Sequence, residues 1–547
     1  MSKKIVVIGG GIAGMSAAHE LIERGFEVEV YDRQPRYVGG KARSIDVPNS
    51  GVDGRKDLPG EHGFRFFPGF YKHITDTMKR IPFSGKRHGV FDNQAVSKRV
   101  MMARFNEAPL INIVNFPKSL KDIEVMFHAL HHSNTGLTKE DTDTFAKKIW
   151  QLMTSSYARR NSEYERISWW EFTDAGQHSE AYRQYFVGGI TRTLVAAKPK
   201  EVSTKTGGDI LLQLLFLMGN PFAHPDRILN GPTNEAFLYP WWDYLVEKGV
   251  KYHHGHTCST IACDDGQITG ATFVDENGAH VAASGDYYIS ALPVEVMAKM
   301  LTPAMLEADP TLQYLPHLAE DTAWMNGIQY FLNQDVTMTR GHVMYTDSPW
   351  ALTSISQLQF WKDFDISQYG NGEVKGVLSI DVSDWTTPGL NGKKANECTK
   401  EEILSEVWEQ LKKSLIVDGK SMLSDDMLVT SYIDADIIIP GHGPSTNKEP
   451  LLVNKVNTWP LRPDAYTHIP NLFLASDYVR TFTDLATMEG ANEAARRAVN
   501  AILEKSESKA KHCEIWHLHE PDLLSHWRKA DQKRFEQGLP WKSPHFL

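Results

Sequence analysis

Gly9, Gly11 and Gly14 stand at G-x-G-x-x-G spacing, directly after the apolar run Lys4–Ile8. They open a segment with Met15, Ala18, Leu21 and Ile22 at helical spacing. Residues of these types in this order can hold a pyrophosphate. Gly9 permits a tight turn, Gly11 lets the backbone approach phosphate oxygens with no Cβ between, and Gly14 lets the helix lie close against the strand. Ile12 and Ala13 occupy the first helical turn, whose unpaired N–H groups and partial positive charge suit an anion. After Gly25 the alternating run Phe26–Tyr31 predicts a second strand, ending at Asp32 and Arg33. A carboxylate at Asp32 accepts hydrogen bonds from a ribose diol and repels a 2′-phosphate. A glycine triplet alone is a weak signal, but strand, helix, strand and terminal acid in sequence form a complete βαβ unit.

Further on, Gly39-Gly40-Lys41-Ala42-Arg43 suits a chain bending back to the same phosphates, with Lys41 and Arg43 as cations; in isolation it would read as a solvated basic turn. The segment Pro59–Tyr71 mixes aromatics, glycines and ionisable groups in a way surface loops rarely do. It predicts a pocket wall along a flat ring, with Glu61, His62, Gly63 and Phe64 as ring contacts and Phe66, Phe67, Phe70 and Tyr71 on the substrate side. His62 and Arg65 are the candidate catalytic groups, a structural role being equally weighted. Near the other end, Asn471–Asp477 predicts a strand ending in an acid, with Ser476 and Asp477 at its tip. Thr487-Met488-Glu489-Gly490-Ala491 then opens a helix whose apolar face is Ala491, Ala494, Ala495, Ala498, Val499, Ile502 and Leu503.

The order of G-x-G-x-x-G, terminal acid, G-G-K and E-x-G resembles the amine-oxidase-type flavoprotein superfamily, which includes the monoamine, polyamine and L-amino-acid oxidases and the carotene desaturases. The resemblance extends over the chain up to the tail beyond Lys505. It implies FAD as cofactor. It implies that Asp477, with Ser476, bonds the ribityl or phosphate region, and that the backbone at Met488, between Thr487 and Ala491, lies against the pyrimidine end of the flavin. A helix N-terminus aimed there stabilises the reduced flavin anion. His256–Ile261 resembles the strand that receives the adenine, with Cys258 at the contact, and Tyr287–Pro293 resembles the return strand, including Ala291. Lys41, the M-E-G-A opening and the stretch Asn234–Pro293 are most similar to the phytoene and zeta-carotene desaturase-like group. Asp347–Leu352 resembles a stretch of that group as well, which puts Trp350, with Phe360 and Trp361, among the expected substrate walls.

The implied fold is α/β: a discontinuous Rossmann-like FAD-binding domain (residues 1–85, 230–300 and 450–505) and an α+β substrate domain of mixed sheet plus helices (86–229 and 301–449), amine-oxidase-like. Residues 120–229 read as mainly helical, and Trp324–Leu332 and Val374–Val382 as strands. The tail, 506–547, is charged and carries Trp516, Trp527 and Trp541; it reads either as a docked surface helix or as an interaction arm.

The bulk properties narrow the choice. A chain of 547 residues exceeds one compact core. A net charge of -10 argues against a nucleic-acid binder. The four cysteines form no C-x-x-C pair, which excludes a disulfide framework or a thioredoxin-like redox pair. No second G-x-G-x-x-G precedes a helix, so a separate NAD(P)H domain is not expected. No apolar run reaches the ~18 residues of a membrane span; Ile210–Met218 reads as a buried helix, with a membrane-dipping edge as the alternative. His128 and His132 lack a third ligand and read as solvated, His253, His254 and His256 as strand residues near the adenine, and no metal is expected.

The chemistry implied is hydride transfer from a substrate C–H to flavin N5, with desaturation of a hydrophobic isoprenoid or lipid-like molecule as the first reading. Amine or amino-acid oxidation is the alternative; it needs an aromatic cage, for which the aromatics exist, and often an acid to seat a cation, which the sequence does not identify. A redox-neutral isomerase or a non-catalytic flavin-binding protein stands third. Quinone or O2 would reoxidise the flavin. With no export signal read at Met1–Gly14, the expected location is cytoplasmic, and a lipid-like substrate allows peripheral membrane contact.

Overall fold

Lys4–Ile8 is apolar on both faces of the strand, as a strand covered on both sides must be. In the computed structural model, which describes residues 2–112, 135–189, 197–217, 226–336, 338–417, 419–440 and 443–544, this strand is the centre of a five-stranded parallel sheet. The spatial order is Lys251–His253, Glu27–Tyr31, Lys4–Ile8, Tyr287–Ser290, Leu472–Leu474. Numbered along the chain, that is the Rossmann-like order 3-2-1-4-5. Its strands come from three separate stretches of sequence, the third and fourth being linked by an antiparallel meander of Thr257–Asp264, Gln267–Val274 and His280–Ala283. His128, His132 and the pair Gly441-His442 lie outside the described residues.

The second layer is a mixed seven-stranded sheet, ordered Leu428–Ile433, Asn326–Leu332, Gly376–Val382, Leu352–Ser356, Gly341–Tyr345, Arg99–Arg104, Glu107–Asn112. Gly341–Tyr345 runs parallel to Arg99–Arg104 and the other pairings are antiparallel. The strands expected at Trp324–Leu332 and Val374–Val382 form with slightly later starts. The Arg99–Asn112 hairpin was not anticipated, because its run R-V-M-M-A-R has no turn glycine or proline to mark its end. Helix Lys400–Ser414 covers one face, burying Ile403, Val407 and Leu411 with Ile328, Tyr330 and Ile380. The opposite face turns toward Leu58 and Phe64 and thus toward the nucleotide domain.

A helical layer holds Lys139–Thr154, Tyr157–Ser162 and Thr204–Leu217 around Trp150 and Trp169. Thr138 and Asp141 start the first of these with a reciprocal capping box. The tail is docked. Trp541 donates to the Thr154 hydroxyl at 3.2 Å, and Asp531 of helix Ser525–Glu536 accepts from the Ser156 amide at 2.8 Å and from Arg159 Nε at 3.0 Å. Among the described residues no helix is long and apolar enough to cross a membrane.

Arg159 is wholly buried and Asp531 nearly so. Removing the carboxylate strands part of a buried cation, which costs about 3 kcal/mol. Asp531→Ala is therefore expected to lower the urea midpoint of the helical layer, followed by tryptophan fluorescence; an unshifted midpoint would show the tail to be an unattached arm.

Candidate active site

The site is built on backbone. Gly9, at φ 103°, turns the chain out of the first strand, and its N–H donates to Tyr31 O at 2.8 Å. A Cβ on Gly14 would stand 1.9 Å from Gly9 O, so only glycine lets helix Ile12–Ile22 start this close to the strand. Gly11 caps that helix without a side-chain acceptor, and the first turn holds no acid, which leaves the helix N–H groups free for an anion. Asp32 Oδ2 accepts from the Gly10 amide at 2.5 Å and Oδ1 from the Gln34 amide at 2.7 Å. Burial raises its pKa against the lowering effect of those two amides.

Gly9, Gly11, Ile12, Ala13 and Asp32 border a cavity enclosing ≈ 2120 Å³ of unfilled space, part of it open to solvent. Arg33, Gly39, Gly40 and Lys41 add the returning loop, and Cys258 and Ala291 add the meander and the fourth strand. From the far end come Ser476, Asp477, Thr487, Met488 and Ala491. The aromatic segment contributes His62, Gly63, Phe64, Arg65, Phe66 and Tyr71. It runs from the glycine turn after the first strand, past the aromatic segment, to the second sheet.

Other expected site residues stand elsewhere. Gly14 acts beneath the cradle by its lack of a side chain. Arg43 is not held ready for phosphate: it is buried and committed to Asp436 at 2.5 Å and Glu449 at 3.2 Å. Lys41 reaches the cavity but pairs with Glu295 at 3.3 Å and donates to Pro450 O. Glu61 is turned away, accepting from the Thr233 amide at 2.9 Å and hydroxyl at 2.7 Å; burial drives its pKa up to about 7 despite Arg65 and those bonds. Phe67 packs into the nucleotide-domain core near Phe237. Trp350 is a core residue on the far face of the second sheet, its Nε1 donating to Thr387 O at 3.1 Å. Phe360 and Trp361 fill the core with Phe331 and Val377. The expected aromatic wall at these last three positions is thus corrected: large rings in a sheet domain serve its core first.

His62 sits in a buried charge cluster. Its Nδ1 lies 2.8 Å from Asp434 and 3.6 Å from Asp436, and Glu449 bridges Arg43 and Arg33. Burial alone would lower the His62 pKa, but Asp434, Asp436 and Glu449 outweigh it and raise the value to about 9, while both aspartates are pulled below the usual range. The grouping of His62, Asp434 and Asp436 could hold a metal by distance. Yet Arg33, Arg43 and protonated His62 already neutralise Asp434, Asp436 and Glu449, so the cluster is balanced without one.

Sequence reasoning missed the opposing wall. Asp381, Thr353 and His342 line the cavity from the second sheet, and Ile210 and Leu214 line it from helix Thr204–Leu217. Asp381, in the buried strand G-V-L-S-I-D-V, was the available signal, since a carboxylate seldom sits in such a run without a task. Glu489 was missed too. It accepts from the amides of Lys72 (2.7 Å), His73 (2.9 Å) and Ile74 (2.9 Å), locking the aromatic segment to the carboxy-terminal helix.

Among the described residues one parallel sheet of this order borders the cavity, and all four cysteines are free. The protein is a flavoprotein oxidoreductase. It belongs to the flavin containing amine oxidoreductase family, whose model matches residues 12–503, and its cofactor is FAD. It is 24% identical to the zeta-carotene desaturase of Arabidopsis thaliana over 93% of this chain and 86% of that one. It is 23% identical to a probable zeta-carotene desaturase of Synechococcus elongatus, over 92% and 98% respectively. A carotenoid phi-ring synthase of Chlorobaculum tepidum is 23% identical across 51% of this chain, which spans only 40% of that protein. Putrescine oxidase shares the fold with a TM-score of 0.60 at 12% identity, covering 92% of this chain and 99% of that one. Cyclohexylamine oxidase of Brevibacterium oxydans does so at 0.56 and 14%, covering 93% and 100%.

Two glycines separate cradle from scaffold. A Cβ on Gly11 meets no protein atom closer than 3.8 Å, whereas one on Gly14 collides with backbone. Both Gly11→Ala and Gly14→Ala are expected to lose bound flavin, seen as lost colour, but only Gly14→Ala should lower the apoprotein Tm. Equal melting of the two would disprove the distinction. The His62 charge gives a second check. Its folded pKa lies above the ordinary ~6.5, so its stabilisation is complete below that value and fades as pH rises through about 9. His62→Gln is expected to cost more Tm at about pH 6 than at about pH 10; a penalty independent of pH would mean the ring is neutral.

Proposed function

We propose that the protein desaturates a hydrophobic isoprenoid-type substrate. When bound, FAD supplies the hydride acceptor at N5. The chain's own residues bind, orient and dehydrate the substrate. The observation that carries this reading is the wall beyond the cradle: Phe66, Phe70, Tyr71, Ile210, Leu214 and Leu485 offer apolar surface. Each Å² of apolar substrate withdrawn from water there contributes about 25 cal/mol.

Electrostatics weigh against an amine. An ammonium group needs an ionised acid or an unobstructed aromatic face. The acid facing this part of the cavity, Asp381, has its pKa pushed up to about 7 by burial, against the pull of Arg65 and His62. Arg65 therefore faces the site beside an acid that is only partly ionised, a poor seat for an ammonium. The relatives that match most of the chain's length carry the name of desaturases, which supports the same reading. Quinone or O2 as the acceptor that reoxidises the flavin, a cytoplasmic location and peripheral contact with a bilayer delivering the substrate complete the proposal.

Holoenzyme mixed anaerobically with zeta-carotene is expected to lose its flavin colour and to yield a polyene with longer-wavelength absorption. Putrescine and L-amino acids should leave the flavin oxidised. Bleaching by an amine, with no response to the polyene, would overturn the reading. Leu214→Trp, which adds bulk inside the cavity, should lower kcat/KM for the polyene by about tenfold or more.

A further inference from the structure

The second sheet presents three polar side chains to the cavity from three adjacent strands. Thr353 lies directly opposite Asp381. Val343 lies opposite Ser354, which puts His342 beside Ile355, two residues from Thr353 and on the same face. Asp381, Thr353 and His342 all line the cavity, and they are only 6%, 0% and 5% exposed. Asp381 Oδ1, Thr353 Oγ1 and His342 Nε2 are all buried, and none makes a hydrogen bond. Nearly every such atom in a folded protein is paired, because leaving it bare forfeits its hydration. Three such atoms stand together on one wall of one cavity, where a bound molecule can pair with them.

Their chemistry defines that partner. Burial holds the His342 pKa down to about 4, so the ring is neutral and offers one donor and one acceptor. The Thr353 hydroxyl does the same. Asp381, its pKa raised by burial to about 7, serves as acceptor or donor according to its proton. A carboxylate ligand would be repelled by ionised Asp381, and an ammonium by Arg65. A neutral oxygen suits all three groups, since a hydroxyl both gives and takes hydrogen bonds and a carbonyl takes them. The rings of Phe64 and Phe66, each centred 5.3 Å from that of His342, flank the strip and bar a wide hydration shell.

We infer that the substrate is an oxygenated isoprenoid, and that Asp381, Thr353 and His342 bind its neutral hydroxyl or carbonyl oxygen while the apolar walls hold the chain. The inference rests on the desaturase reading and narrows its substrate class. It assigns these three residues a role in binding and orientation. The anchored oxygen fixes how far along the chain the reacting carbons lie, a register that an apolar tunnel alone leaves free to slide.

The test uses intact holoenzyme immobilised in detergent, with zeta-carotene and its terminal hydrate (the same chain carrying one hydroxyl) as probes. Bound polyene is extracted and quantified, and flavin bleaching is followed in parallel under anaerobic conditions. The hydrate is expected to bind roughly tenfold tighter or more, because the hydrocarbon leaves the polar strip unpaired. In the Thr353→Val/His342→Phe double variant, with retained flavin content as the check on folding, the preference should collapse toward unity. Equal affinity for both probes, or a preference that survives in the double variant, would overturn the inference and mean that water alone fills the strip. The two readings fail separately. Tighter hydrate binding without bleaching by either polyene removes desaturation and keeps the oxygen site. Bleaching by zeta-carotene with equal affinities keeps desaturation and removes the oxygen site. Binding of neither polyene removes both.

Discussion

The two ends of the chain share one cavity because helix Met488–Lys505 is fastened to helix Ile12–Ile22 by buried polar contacts. Asn492 donates to Ser16 at 2.8 Å and to Thr77 at 3.0 Å. Arg496, almost fully buried, reaches Asp76 at 2.6 Å and Glu20 at 3.3 Å. Inside a protein such groups are held firmly, since each has nowhere else to be satisfied. Around them Ala494, Ala495 and Ala498 pack in the same core as Met15, Ala18 and Leu21, the small side chains letting the helices approach. The two helix N-termini that border the cavity keep their relation through this contact. Glu489 extends it to a third element by capping the helix that follows the aromatic segment.

The second sheet closes the site through an equally tight joint. A Cβ on Gly327 would lie 2.8 Å from Glu61 O, and the Gly327 amide donates to His62 O at 2.6 Å. Backbone on backbone at this distance leaves no layer of side chains between the aromatic segment and the sheet. The consequence is desolvation. His62, Asp381, Glu61 and His342 are all cut off from bulk water, so burial and the charged groups packed nearby set their proton affinities. The proposed hydride transfer from an apolar substrate would benefit from such a setting, in which water is kept out and fixed dipoles act in a low dielectric.

The charged network beside His62 shows how a wrong residue role can arise from a correct motif. A basic residue after a glycine pair fits phosphate, and Arg43 follows Gly39-Gly40 closely. Its partners, Asp436 and Glu449, lie some four hundred positions away and give no sign of themselves near the glycines. Trp350, Phe360 and Trp361 failed for a related reason. Their ring types suit a substrate wall and a core equally, and which one they meet depends on the face of the sheet to which each is delivered.

What the sequence determined by itself was everything encoded within a single turn or element. The glycine cradle, the first two strands, their helix and Asp32 follow from residues whose spacing matches one backbone geometry, while the class of cofactor and the reading of the M-E-G-A opening follow from the family resemblance. The strand runs Trp324–Leu332 and Val374–Val382 were legible from composition as well, each strand starting two residues later than read. Tertiary structure alone decided which polar groups are paired. The strand register that aligns Thr353 with Asp381 and brings His342 alongside depends on strand pairings set across the whole sheet, and slipping any strand by one residue would reverse its faces. Burial, orphaned polar atoms and shifted proton affinities are properties of that assembled surface. Hence the glycine-rich wall and the aromatic segment of the cavity could be read along the chain, and the wall contributed by the second sheet could not.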